Sequence, residues 1–287
     1  MSTRRRLDAE MVRRGLVPSR ERARAEIDAG RVTVGGAPAV KAARLVGPGE
    51  AVVVHGPGPR HVSRAGEKLA AAVDCFGLDE LLSGARVLDA GASTGGFTDC
   101  ALQHGAREVV AVDVGHNQLH ERLRSDERVR NLERTNLRTL DPAVVGDPVD
   151  VVVGDLSFIS LRLVLDPLFA VVRSGGLYVL LVKPQFEAGR AEADRGRGVI
   201  SDPVVWRRVL AEVSGALVDR GATIMGAMAS PLTGADGNVE FVLAGRAPGD
   251  GSGTALQGRA PLTGAALAEA LDVAVAEGVA ASAQGSS

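Results

Sequence analysis

The chain has 287 residues, 45% hydrophobic and 24% charged, with a formal net charge of −2. That is enough for one large domain with a small one beside it, each with an ordinary core. The only cysteines, Cys75 and Cys100, exclude a disulfide framework and a cysteine metal cluster, so no metal is expected and a reducing, cytoplasmic setting is. No apolar run approaches the ~18 residues of a membrane span, and Met1–Arg6 lacks the apolar core of a signal peptide, so no stable membrane association is expected.

Charge is unevenly spread. Residues 1–60 carry twelve Lys/Arg against six Asp/Glu, an asymmetry that suits an anionic partner at this end. Leu7, Met11 and Leu16 mark a helical stripe that Gly15 stops. Ser19 is placed as N-cap of a second helix, with Arg20 and Arg24 on one face, Ala23 and Ile27 on the other, and Gly30 as its end. Val32–Val34 then reads as a strand entering a Gly35-Gly36 hairpin turn, and Ala51–Val54 as the closing strand. Residues 57–63 read as a linker, opened by Gly56-Pro57-Gly58-Pro59. A helix follows, with Ala72, Val73 and Phe76 on its buried face and Lys68 in its first turn, where a cation opposes the helix dipole.

The stretch that organises the rest is Val87 to Thr98. Arg86–Ala90 reads as a buried parallel strand, Gly91 to Gly96 as a glycine-rich turn, and Phe97 onward as a helix. This is the corner at which nucleotide-containing ligands bind. Asp113 ends the next apolar run, 22 residues after Gly91, roughly the ~20-residue distance at which an acid reaches ribose hydroxyls. Two ligands fit, a dinucleotide or S-adenosylmethionine. The dinucleotide fingerprint G-x-G-x-x-G has a glycine where this chain has Ser93, and Asp89 precedes the turn. Both features favour a cationic sulfonium ligand over a pyrophosphate. The alternative is a turn that serves only the fold.

Strand and helix then alternate. A helix is expected from His116 to Ser125, a strand over Val129–Leu132 with Thr135-Asn136-Leu137 after it, and a strand over Val149–Gly154 ending at Asp155. Further on come a helix from Leu161 to Val172, a strand over Leu177–Val182 ending at Lys183, and a helix from Asp202-Pro203 to Asp219. The last strands are Thr223–Ala229 and Glu240–Ala244. The fold class is α/β, a doubly wound Rossmann-like sheet behind a small α+β N-terminal domain. Residues 247–287, rich in Gly, Ala and Ser, are expected to be disordered.

Of 33 Lys/Arg only Lys41, Lys68 and Lys183 are lysines, so a surviving lysine points to a need for a compact ammonium. Lys68, Asp155, Lys183 and Glu240 all fall at element ends. Asp155 and Lys183 leave neighbouring strands on the ligand side and should meet. The structural alternative is a salt-bridge network at the sheet edge. Phe97, Phe158 and Phe186 lie beside this site as stacking candidates, at least one of them expected in the core.

These motifs carry a family resemblance. Residues 1–56 resemble the S4 RNA-binding domain through R-L-D, R-G-L, S-R and I-x-x-G-x-V-x-V-x-G, which implies that Arg4, Arg6, Arg14, Ser19, Arg20 and Lys41 face RNA phosphates. Residues 64–246 resemble the FtsJ-type ribose 2′-O-methyltransferases. From about Arg4 to about Gly245 the chain resembles the TlyA family, also known as hemolysin A. The carrying motifs are V-S-R-A-G-E-K-L, L-D-A-G-A-S-T-G-G-F-T-D, G-D-L-S-F-I-S-L, L-V-K-P-Q-F-E and S-P-L-x-G-x-x-G-N-x-E-F.

The resemblance implies a catalytic Lys68, Asp155, Lys183, Glu240 tetrad and S-adenosylmethionine as cofactor. It further implies cytidines of small- and large-subunit ribosomal RNA as substrate, in ribosomal subunits as partners. The expected cofactor residues are Asp89, Gly91, Ser93, Thr94, Gly95, Gly96, Phe97, Asp113, Val114, Asn136, Leu137 and Asp155. An aromatic residue is expected where His61 stands, ahead of Val62-Ser63. Lys183 would serve as base or as fixed cation beside the developing alkoxide. The other function classes are a membrane-active hemolysin and an RNA-binding protein without catalysis.

Overall fold

The computed structural model describes residues 4–17, 19–56, 60–189, 192, 196, 198–234, 236–249 and 260–284. The chain divides into two compact units between Arg60 and His61. Residues 57–59 of the expected linker lie outside the described residues. His61 to Ser63 belong to the second unit, where the Val62 N–H donates to Asp99 at 2.8 Å. His61 is buried beneath the helix Ala65–Phe76, and a Cβ on Gly66 would lie 2.4 Å from the His61 ring.

In the first unit, β1 (Arg5–Arg6) pairs antiparallel with β4 (Leu45–Val46), and β2 (Val32–Val34) lies between β3 (Ala37–Pro38) and β5 (Val52–Val54). The helices Leu7–Arg13 and Arg20–Asp28 cover one core of Leu7, Met11, Ala23, Ile27, Val32 and Val34. Ser19 caps the second helix by accepting the Arg22 N–H. Gly30, at φ +68, follows that helix in the left-handed conformation that favours glycine. Leu16 is exposed rather than part of the apolar stripe.

The second unit is a seven-stranded sheet. Its strands are β6 (Arg86–Ala90), β7 (Glu108–Val112), β8 (Val129–Leu132), β9 (Val149–Gly154), β10 (Val172–Val182), β11 (Thr223–Ala229) and β12 (Phe241–Arg246). Their order is β11-β12-β10-β9-β6-β7-β8, with only β12 antiparallel to its neighbours. The central strands are Val/Leu-rich and buried on both faces, as parallel strands under helices must be. From β6 the chain runs outward through β7 and β8, then returns across the sheet to β9. The carboxyl ends of β6 and β9 therefore flank a switch point, where open α/β sheets bind ligands.

Three elements differ from expectation. Only Glu121–Arg124 is helical within 116–125, because Glu133 accepts from the Asn117 N–H at 2.9 Å and contacts His116 Nδ1 at 2.6 Å. A side chain that captures backbone donors competes with the helix. Residues 161–171 form a 3₁₀ turn and a short helix, Leu165–Val171, and β10 starts at Val172, with an irregularity before Leu177.

The tail is the third. Gly264–Gln284 is a helix packed on β11 and on the helix Pro203–Val218. Leu271 and Ala274 are buried, the Leu262 N–H donates to Ile224 O, and Glu277 accepts the Ala229 N–H at 3.0 Å. A Cβ on Gly278 would lie 2.9 Å from Val239. The buried face is small because the helix lies close to the sheet, so Ala and Gly do the packing and the apolar stripe looks thin. The helix also covers the edge strand β11, whose open hydrogen-bonding groups would otherwise be available to another chain. Leu271→Ala should cost about 2–4 kcal/mol in urea unfolding, whereas a disordered tail would leave the midpoint unchanged.

Candidate active site

A cavity of about 610 Å³ opens at the carboxyl ends of β6, β7 and β9. Its walls include Gly91, Ser93, Asp113, Val114, Asn136, Leu137 and Asp155, all expected from sequence. Gly91 stands at φ +83, where an added Cβ would lie 2.9 Å from both the Asp155 carbonyl and Leu156. Glycine is thus required for the β6 turn to approach the β9 turn. Asp113 accepts from the N–H of Ser93 at 2.8 Å and of Gly115 at 2.6 Å.

The remaining expected cofactor residues have packing or hydrogen-bonding contacts of their own. Thr94, Gly95, Gly96, Phe97 and Asp89 are absent from the cavity wall. Phe97 is core. A Cβ on Gly95 would strike Leu123, and one on Gly96 would strike Ser63 and Ala65, so these glycines serve close packing. Thr94 is exposed, and its carbonyl accepts from the His120 N–H. The wall also includes Gly115, Gln118, Arg138, Leu156 and Ser157, which the glycine motif does not reach. Gly115, Leu156 and Ser157 follow expected strand ends within two or three residues, and that position was their signal, whereas Gln118 and Arg138 lie further on and had none.

Asp89 is fully buried, and its Oδ2 accepts from the Thr98 N–H at 2.9 Å and the Thr98 hydroxyl at 2.7 Å. It holds the start of the helix Gly96–Gln103. Burial pushes its carboxyl up to about 7, against the Thr98 hydrogen bonds and with the charge of Asp155 adding to the rise.

Two of the backbone donors that a pyrophosphate could use at this corner are therefore taken. The Ser93 N–H points to Asp113 and the Thr98 N–H to Asp89. Asp113 and Asp155 give the cavity acidic walls. Such a site repels phosphate and fits a sulfonium and an ammonium, with Asp113 placed to accept from ribose hydroxyls.

Beside the cavity, four side chains from separate elements form an alternating ring. Lys68 Nζ lies 2.5 Å from Glu240 and 3.7 Å from Asp155, and Lys183 Nζ lies 2.5 Å from Asp155 and 3.9 Å from Glu240. Their side chains are 2–13% exposed. Lys183 also donates to the Ser157 hydroxyl at 3.0 Å. Asp155 belongs both to the ring and to the cavity wall. Phe158 is 91% exposed at the cavity edge, held at φ +65, and its ring centroid is 5.3 Å from that of Phe186.

In the first unit the basic residues expected at RNA divide into two groups. Arg14 is fixed internally, donating to Glu10 and to the carbonyls of Gly47, Pro48 and Glu50, and Ser19 is the helix cap. Arg6 and Arg20 pair with buried Asp8, whose carboxyl the Arg6 guanidinium holds well below its usual range, yet both keep exposed side chains. Arg4 is exposed beside Glu50, and Lys41 is exposed.

Sheet, acid-walled cavity and adjoining ion ring together define a methyltransferase that takes S-adenosylmethionine. Residues 61–247 match the FtsJ-like methyltransferase family and residues 5–52 the S4 domain, an RNA-binding domain. The 16S/23S rRNA (cytidine-2′-O)-methyltransferase TlyA of Mycobacterium tuberculosis is 47% identical over 244 residues, covering 85% of this chain and 90% of that protein. Hemolysin A of Brachyspira hyodysenteriae is 38% identical over 83% of this chain and 98% of its own length. A solved structure from Streptococcus thermophilus, described as a hemolysin, superposes with a TM-score of 0.71 at 35% identity, covering 96% of this chain and 98% of that one. The chain belongs to the TlyA family of FtsJ-like methyltransferases.

The buried Asp89 gives a pH test. An unfolded aspartate titrates near ~3.9, so between about pH 4 and about pH 7 the folded state binds more protons than the unfolded one, and this group's contribution falls as pH rises. Asp89→Asn keeps an oxygen for Thr98 and removes the titration. Its thermal midpoint should gain on wild type as pH rises through that window and hold the gained difference above it. A constant or shrinking difference contradicts the assignment.

Proposed function

We propose that the protein methylates the ribose 2′-hydroxyl of cytidine in ribosomal RNA, with Lys68, Asp155, Lys183 and Glu240 as its catalytic centre. The observation that carries this reading is the ion ring at the cavity wall, with Lys183 Nζ 2.5 Å from a cavity-lining carboxylate. S-adenosylmethionine, when bound, supplies an electrophilic methyl group. The chain's own task is then to place a hydroxyl and manage its proton. Asp155 and Glu240 orient the two ammonium groups, and Ser157 fixes the third direction of Lys183. Held this way, Lys183 can stabilise negative charge growing on the hydroxyl oxygen or, by giving up a proton, take the one the hydroxyl loses.

An RNA substrate is supported by the S4 domain and by Phe158, because RNA enzymes receive splayed bases on exposed aromatic faces. Of the six residues expected at RNA, Arg4, Arg6, Arg20 and Lys41 keep exposed side chains available to phosphates. The relatives extend the reading to ribosomal RNA, since the M. tuberculosis protein is described as acting on 16S and 23S rRNA and a 33%-identical one from Campylobacter jejuni on 23S rRNA. A cytoplasmic location follows from that substrate. The membrane-active reading rests on relatives' names alone; none of the described helices is long and apolar enough to cross a membrane.

The test is transfer of labelled methyl from S-adenosylmethionine to purified ribosomal subunits, followed by nuclease mapping. The label should resist alkali and map to the ribose of a cytidine. Label on a base, or none in RNA while S-adenosylmethionine binds, contradicts the reading.

A further inference from the structure

The motif L-V-K-P-Q-F-E ends in an acid that the catalytic centre does not use. Glu187 closes the short helix Pro184–Glu187 after β10 and is only 3% exposed. Its carboxylate accepts from the Leu161 N–H at 2.6 Å and from the Ser160 hydroxyl at 2.5 Å. Arg162 approaches the same carboxylate at 3.3 Å and donates to the Glu187 carbonyl at 2.8 Å. All of these partners lie at the far end of the segment that leaves β9 and carries Asp155, Ser157 and Phe158.

That segment has no regular structure between Asp155 and Ser160. Phe158 sits in the left-handed region, which side chains with a Cβ rarely adopt, and its ring stands almost wholly in solvent. Burial of its own ring therefore does not hold this geometry; it must be imposed from outside. Three contacts join the segment to the chain after β10: Lys183 to Ser157 and Asp155, Phe186 to Phe158, and Glu187 to Ser160 and Leu161. The first belongs to the ion ring and the second leaves the Phe158 face open. The third pins the end of the segment with a buried, multiply bonded carboxylate.

We propose that Glu187 is a positioning residue, which clamps the segment after β9 so that Phe158 stands as a fixed platform for the target nucleobase. The proposal rests on the reading that the substrate is a splayed RNA nucleotide. Glu187 touches neither substrate nor cofactor in this account; it acts through Ser160, Leu161 and the backbone that leads to Phe158. Glutamine can keep both contacts, its carbonyl accepting from Leu161 and its amide meeting the Ser160 hydroxyl, and gives up only the Arg162 approach, whereas alanine loses all three.

The experiment compares the full chain with Glu187→Ala, Glu187→Gln, Phe158→Ala and the Glu187→Ala/Phe158→Ala double variant. Turnover and KM for purified, unmethylated ribosomal subunits are measured at saturating S-adenosylmethionine, with hydrogen exchange followed over residues 155–161. Glu187→Ala should raise KM on the order of tenfold, the scale of one lost stacking contact, and speed exchange in that segment. Glu187→Gln should stay near wild type, and the double variant should be no worse than Phe158→Ala.

Should Glu187→Ala fail to fold, Ser160→Ala removes one contact from the other side and should raise KM in the same direction. Wild-type KM and exchange in Glu187→Ala, with Phe158→Ala impaired, would overturn the clamp alone. Phe158→Ala at wild-type KM would remove the platform reading and the clamp's purpose with it. Multiplying effects in the double variant would show that Glu187 acts by another route, which also overturns the proposal.

Discussion

Four charges withdrawn from water must neutralise one another, and the second unit is arranged around that requirement. An ammonium or carboxylate buried alone costs several kcal/mol, so the ring of Lys68, Asp155, Lys183 and Glu240 is tolerable only if all four arrive together. They come from four separate elements. Parallel pairing of β9 and β10 sets Asp155 beside Lys183, and Val182 opposite Phe241 in the antiparallel β10–β12 pair sets Lys183 beside Glu240. The helix Ala65–Phe76 brings Lys68 to Glu240, which explains a lysine placed against the helix dipole. The single antiparallel strand matters here, since β12 begins rather than ends at the ligand end of the sheet and so leaves Glu240, just before Phe241, beside Lys183. Buried ion pairs are weak sources of stability, so this one is better understood as kept for function.

The same electrostatic logic selects the ligand. A glycine corner at a helix N-terminus ordinarily receives phosphate through free N–H groups. Here carboxylates occupy two of those donors: Asp89 takes Thr98 and Asp113 takes Ser93. The corner keeps the strand-turn-helix geometry of nucleotide sites while its charge preference is inverted. One sheet end thereby presents acidic walls suited to a cationic donor and, next to them, a pair of lysines that the proposed reaction would turn toward the substrate hydroxyl.

Legibility in the sequence followed the physics of each signal. The central strands Arg86–Ala90 and Val149–Gly154 were plain because both faces are covered, and the edge strands Val129–Leu132 and Thr223–Ala229 also begin and end where expected. The four ring residues were visible as charges at element ends and Asp155 was expected to meet Lys183, whereas only the β10–β12 pairing and the helix Ala65–Phe76 bring Glu240 and Lys68 to them. The helix at 116–125 was lost to Glu133, a tertiary partner that no local pattern reveals. The tail helix was hidden because its buried face is built of alanine and glycine. At Asp89 and Gly96 the glycine motif also records packing, Asp89 holding the helix start through Thr98 and Gly96 leaving room for Ser63 and Ala65. Glu187 carried no local signal, since its partners lie on the segment leaving another strand.

The central claim is that the ion ring is a catalytic centre rather than a structural brace. The direct measurement is single-turnover methylation of ribosomal subunits by Lys183→Arg, with S-adenosylmethionine affinity measured alongside. Arginine preserves the charge but is bulkier and does not release its proton. The account predicts a folded variant that binds S-adenosylmethionine as wild type does and loses rate on the order of 10²-fold or more. A Lys183→Arg variant that turns over near the wild-type rate would contradict it.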